Sequence, residues 1–182
     1  MARKKQENRY LEIDQYQNLV SMFFDRATQA GNKPFLSAKI DGAWQAISWS
    51  DAAQQVAALA KSLKRIGLKK GDRIMLVSEN RPEWCIADLA IMAAGCVTVP
   101  TYTTNTASDH QHILDNSGAH AVIVSDSKLA KNLLPSVISS SDANIIIGLS
   151  DLRIGQTGDF ELYQWHDLVQ GDDADVADMT EQ

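Results

Sequence analysis

The sequence predicts a three-layer α/β domain built on a mainly parallel sheet flanked by helices. Three observations carry this expectation. Short apolar runs alternate with longer stretches whose apolar residues recur at helical spacing. The run Ile74-Met75-Leu76-Val77 is apolar at every position, so it needs cover on both faces, as a parallel strand does. With 182 residues, 45% hydrophobic and 22% charged, the chain is long and apolar enough to bury its own core.

The elements follow in order. Residues 18–30 predict a helix with Leu19, Phe23 and either Ala27 or Phe24 on the face toward the core. Gly31-Asn32-Lys33-Pro34 ends it. Residues 35–40 and 43–48 read as strands around Asp41-Gly42, a strong hairpin-turn pair. Ser48-Trp49-Ser50-Asp51 has the form of a capping box, with Asp in place of the usual Glu. Its helix runs to Ile66, with Ala52, Val56, Leu59, Leu63 and Ile66 as the core stripe. Lys61, Lys64 and Arg65 complement the negative end of that helix, and Gly67 stops it.

Residues 73–78 form the next strand. Asn80 is placed to cap a helix over 81–94, with Pro82 in its first turn and Glu83 at its positive end. That helix is apolar nearly all round, which predicts deep burial, and a buried strand over 96–100 follows. Helix 106–117, strand 120–124, helix 127–139 and strand 144–148 repeat the alternation. A glycine-containing loop leads to a short strand at 160–163 and a short helix at 165–170. Such alternation implies right-handed crossovers.

Charge is unevenly placed. The net charge is −6, yet all 17 Lys and Arg lie before residue 154. Residues 171–182 therefore read as a solvated acidic linker. A body without a large basic surplus argues against a nucleic-acid partner. Cys85 and Cys96 sit in apolar surroundings without a metal-ligand spacing, as buried thiols in a reducing cytoplasm do. The basic Met1-Ala2-Arg3-Lys4-Lys5 is not followed by an apolar core, so it is not a secretory signal. The stretch 84–100 contains Asp88 and ends in β-branched residues and proline, unlike a membrane span.

Open α/β sheets bind ligands at the C-terminal ends of their strands. Two such ends supply the candidate cleft residues: Asn80, Arg81 and Trp84 after one strand, and Pro100, Thr101, Tyr102, Thr103 and Thr104 after another. Capping and turn formation explain the Asn and Thr residues equally simply. A third end, Ser125-Asp126-Ser127, is similar. No phosphate-binding glycine loop occurs; Gly155-Gln156-Thr157-Gly158 lacks a lysine and a following helix. His110 and His112 diverge on a helix and lack partners at ligand spacing, so no metal site is expected there. The residues alone assign no catalytic group.

The ordered set of segments says more. Ile47-Ser48-Trp49-Ser50-Asp51, Gly67-Leu68-Lys69-Lys70-Gly71-Asp72-Arg73-Ile74, Asn80-Arg81-Pro82-Glu83-Trp84, Ala93-Ala94-Gly95-Cys96-Val97-Thr98-Val99-Pro100-Thr101-Tyr102, Ile113-Leu114-Asp115-Asn116-Ser117-Gly118-Ala119 and Val122-Ile123-Val124 occur in this order. Over about residues 18–148 the chain resembles the N-terminal part of the adenylate-forming superfamily of AMP-binding enzymes, most closely the long-chain acyl-CoA synthetases. The resemblance implies a parent fatty acid–CoA ligase. Such an enzyme uses ATP and Mg²⁺ to turn a fatty acid into an acyl-adenylate, and CoA then displaces AMP. Adenylation gives a poor electrophile a good leaving group, and the phosphate charge needs a Gly/Ser/Thr loop with a Lys, and metal. That loop, and the family's later nucleotide and lysine motifs, do not occur in these 182 residues.

The expectation is therefore an inactive N-terminal piece, with no cofactor of its own and with no catalytic or metal residue assigned. It divides into an arm (1–17), a partial AMP-binding domain (18–170) and an acidic linker (171–182) toward the phosphate loop. Its expected partners are the C-terminal remainder of the enzyme and, in the parent, a fatty acid. The expected setting is cytoplasmic, with no transmembrane segment; a homodimer surface and peripheral membrane contact are left open. The alternative is a stand-alone α/β binding or interaction module without catalysis.

Overall fold

A computed structural model of the protein describes residues 15–155, 158–171 and 173–180. Most of the arm expected at 1–17, Gln156 and Thr157 of the glycine loop, and Asp172, Glu181 and Gln182 of the acidic segment lie outside the described residues.

Helix α1 (Leu19–Ala30) is followed by strands β1 (Pro34–Ile40) and β2 (Ala43–Ser48) and helix α2 (Trp49–Arg65). Strand β3 (Arg73–Val77), helix α3 (Pro82–Ala93), strand β4 (Val97–Thr101), helix α4 (Ala107–Ser117), strand β5 (Ala121–Val124), helix α5 (Ser127–Ser139) and strand β6 (Ile145–Gly148) come next. Strand β7 (Glu161–Gln164) and helices α6 (Trp165–Leu168) and α7 (Asp173–Thr180) complete the order. Strands β1 and β2 pair as a separate antiparallel hairpin, turned by Asp41 and Gly42 at positive φ. The main sheet has five parallel strands in the order β4-β3-β5-β6-β7.

The sheet is the middle layer. Ile74, Leu76, Ile123 and Ile147 face one core with α1, α2 and α3, and Met75, Val77, Val124 and Ile146 face the other with α4 and α5. Alternate residues of each central strand thus enter different cores, so strands β3, β5 and β6 carry no exposed apolar position. Helix α2 is the central helix of its layer. Ala53, Ala57, Ala58 and Ala60 are buried in addition to the predicted stripe, because α1, α3 and α7 close on α2 from several sides.

Caps agree with the sequence at most helix starts. Asn18, Ser48, Thr106 and Asp126 each accept a hydrogen bond from the backbone N–H three residues on.

Five expectations are corrected. Asn80 does not cap α3: the N-cap is Arg81, no side chain bonds the helix start, and Pro82 already lacks one of the orphan N–H groups. Helix α3 is buried only along Ile86, Ala87, Ala90 and Ile91, since only one side of it meets α2 and the sheet. The strand expected to be buried at 96–100 is β4 at 97–101, at the edge of the sheet; Val97 is 49% exposed there and Pro100, with no N–H to donate, sits where no further strand pairs among the described residues. The acidic segment is not an extended solvated linker over Asp173–Thr180 but helix α7, packed on α2 and α1. Leu19, expected in the core, is half exposed in the first turn of α1. No helix among the described residues is long and apolar enough to cross a membrane.

One close approach locks the sheet to α4. Arg73 Nε donates to the Ser117 carbonyl at 2.8 Å and Arg73 Nη2 to the Gly118 carbonyl at 2.6 Å. Gly118 ends α4 in the left-handed conformation (φ 58°), and a Cβ there would lie 2.8 Å from Arg73 Nη2. Gly118→Ala is expected to cost about 1–2 kcal/mol from the left-handed backbone. Urea unfolding will read this as a lower midpoint at unchanged slope.

Candidate functional site

The chain leaves β3 by α3, on one face of the sheet, to reach β4 at the edge. It leaves β5 by α5, on the other face, to reach β6. Neighbouring strands whose connections depart to opposite faces open a crevice at their C-terminal ends. Arg81 stands at this crevice. Its Nη1 donates to Ser125 Oγ, just after β5, at 3.2 Å, and reaches Ser150 Oγ, after β6, at 3.5 Å. Nε and Nη2 grip both carboxylate oxygens of Glu83 at 2.8 and 3.0 Å. One guanidinium therefore joins the start of α3 to the turns after two other strands.

The electrostatics follow from that fork. Burial pushes the Glu83 carboxyl up, but the hydrogen bonds and charge of Arg81, with a backbone bond, outweigh it and hold the carboxyl below its usual value. Glu83, and at longer range Glu79 and Asp126, raise the Arg81 guanidinium further against its own desolvation. One cation thus meets three carboxylates, and its charge is already spent. This rim is not built to receive a phosphate.

Beside it runs an open groove of about 960 Å³ between the hairpin and the start of α3. Leu36, Ile40, Trp44 and Ile47 form one wall; Asn80, Arg81, Pro82 and Trp84 form the other. Trp44 is 75% exposed, which is unusual for so large an apolar side chain. Trp84 both lines the groove and packs on the core.

The structure brings the predicted residues only partly together. Register pairs Val77 with Thr101, so residues 80–84 and 100–104 emerge at the same end of adjacent strands. Asn80, Arg81 and Trp84 line the groove, whereas Pro100, Thr101, Tyr102, Thr103 and Thr104 do not. Tyr102 is 80% exposed, and the Thr101 hydroxyl is buried without a hydrogen-bond partner among the described residues. Ser125, Ser150 and Glu83 were not legible as partners of Arg81, although the Arg-x-Glu spacing was a usable hint. The hairpin wall was signalled only by an unexplained Trp at position 44.

The other titratable groups offer little chemistry. Both thiols are pushed up, first by burial and then by Asp88 beside Cys85 and Asp72 beside Cys96. His166 is exposed between Asp151 and Asp167. His110 is buried, and its Nδ1 has no hydrogen-bond partner among the described residues. A second groove, of about 880 Å³, lies at the opposite end of the sheet and is lined by Lys64, Lys69, Lys70, Leu19 and Met179.

Comparison with known proteins adds a family. The profile of the AMP-binding enzymes matches residues 23–176. Over 107 residues the chain is 36% identical to the long-chain-fatty-acid–CoA ligase FadD15 of Mycobacterium tuberculosis, covering 59% of this chain and 18% of that protein. It is 30% identical over 112 residues to a long-chain-fatty-acid–CoA ligase of Salmonella typhimurium, covering 61% and 19%. Coronafacic acid ligase from Pectobacterium brasiliense superposes with a TM-score of 0.72 at 22% identity, over 85% of this chain and 30% of that one. Acetoacetyl-CoA synthetase from Streptomyces lividans does so at 0.70 and 17%, over 84% and 25%. The matched segment thus spans about a fifth of the two ligases.

His110 generates a pH prediction. Burial pushes its pKa below the usual value, against the smaller pull of Asp109, so the folded protein holds it neutral while the unfolded chain protonates it near pH ~6.5. Its stabilising contribution is present above that pH and is lost as pH falls through the folded value. Wild-type stability in urea should drop below pH ~6.5, and His110→Leu should flatten that part of the profile. An unchanged slope in the variant would assign the acid sensitivity elsewhere.

Proposed function

Because the chain belongs to the AMP-binding enzyme family, we propose that it is the N-terminal part of a long-chain fatty acid–CoA ligase. The identity shared with two bacterial long-chain ligases carries this reading. On it, the whole enzyme joins a fatty acid to CoA through an acyl-adenylate, with ATP and Mg²⁺, as a cytoplasmic protein with peripheral access to membranes.

The described residues do not fit the nucleotide or its metal. The cation at the switch point is neutralised by Glu83, with two more carboxylates acting on it. No cluster of three or more His, Cys, Asp or Glu suited to a metal occurs among the described residues. We therefore assign ATP, Mg²⁺ and CoA to polypeptide outside this chain and derive no step through them here.

The chain's own part is to build and brace one side of the ligand cleft. Arg81 holds the turns after β5 and β6 against the start of α3. Leu36, Ile40, Trp44, Ile47 and Trp84 give the groove apolar walls suited to an acyl chain, with Asn80 beside them, and residues 100–104 lie along the same sheet end. The domain body is proposed to begin at residue 18 and to include α7, with 1–17 as an arm.

Two measurements test this reading. The 182-residue chain is expected to give no palmitate-dependent ATP–pyrophosphate exchange, and clear exchange would overturn the assignment. Sequencing the gene past codon 182 is expected to reveal a Thr/Ser/Gly-rich loop with a Lys. A stop codon there would favour the stand-alone module.

A further inference from the structure

We propose that α7 is a salt-sensitive strap, latched to α2 through Lys61, that opens to uncover an apolar seam between α1 and α2. Its root is fixed. The Ser62 hydroxyl, buried in α2, donates to the Leu168 carbonyl at 3.0 Å. Gly171 lies so close to α2 that a Cβ there would come within 2.5 Å of Ala58 Cβ. Beyond that root the attachment changes character. Lys61 Nζ reaches Asp175 at 2.7 Å and Asp178 at 2.6 Å, and these two carboxylates hold its ammonium well above the usual lysine value. Val176 and Met179 pack against the core only partly buried.

Three physical arguments make this a latch. With eight residues, α7 is too short to hold a helix by itself, so its helicity depends on docking. Residues 154–182 contain no Lys or Arg, so the segment repels itself unless a cation from elsewhere neutralises it. Lys61 pairs with both Asp175 and Asp178 and is 37% exposed, so these two pairs are open to screening by salt. Lifting α7 withdraws Met179 from the lysine-lined groove and exposes the apolar sides of α1 and α2 beneath it.

Hydrogen exchange read by mass spectrometry on the full chain tests this. The comparison uses wild type, Lys61→Gln and Lys61→Arg at about 0.02 and 0.5 M NaCl, on either side of strong screening. At low salt Lys61→Gln should exchange its α7 amides about fivefold faster than wild type, while Lys61→Arg stays near wild type. High salt should speed α7 exchange in wild type and leave Lys61→Gln unchanged or slower, because salt also screens the segment's self-repulsion, with β3 and β5 amides constant throughout. Equal α7 exchange in wild type and Lys61→Gln, or the same salt response in both, would overturn the latch. Acceleration of β3 and β5 in step with α7 would also overturn it, by showing global unfolding instead.

Discussion

A parallel strand without a solvent-facing side chain must be covered twice, and this constraint organises the whole molecule. Strands β3, β5 and β6 are buried at nearly every position. Each fully buried Leu, Ile, Val or Met contributes roughly 1.5–3 kcal/mol only if both helical layers are in place. Helices α1, α2 and α3 supply one layer and α4 and α5 the other, and the chain can reach both only by reversing direction at β3. The crevice at the C-terminal ends of β3 and β5 is thus a consequence of how the sheet is buried.

Arg81 shows how that crevice is stabilised. A helix start normally takes a side-chain cap, and α3 has none. Arg81 instead turns outward, is neutralised by Glu83 and reaches two serines beyond β5 and β6. The result is a rim that is rigid and electrically spent. Its cation is already paired with Glu83, with Glu79 and Asp126 acting on it at longer range.

Much of the fold was legible because local and tertiary preferences coincide. Ser48, Thr106 and Asp126 cap the helices that follow them, Gly118 stops α4, and Ile74-Met75-Leu76-Val77 is buried on both faces. The misses share a physical cause: burial depends on neighbours that one segment cannot specify. Val97-Thr98-Val99 has the composition of an interior strand, yet its strand closes the sheet. The acidic run after Gly171 has the composition of a linker, but Lys61, more than a hundred residues earlier, supplies the charge that lets it fold back. The candidate site was half legible for the same reason: strand ends can be read from periodicity, while the hairpin wall with Trp44 depends on how β1 and β2 lie against α3.

The proposed ligand site is the C-terminal end of the parallel sheet, beside Arg81 and Trp84. A structure of the proposed full-length ligase bound to a non-hydrolysable acyl-adenylate analogue tests this most directly. The ligand is expected over the ends of β3 and β5, with its acyl or adjoining portion against Trp84 and residues 100–104. A ligand bound far from both segments, or at the opposite end of the sheet near Lys69 and Lys70, would contradict it.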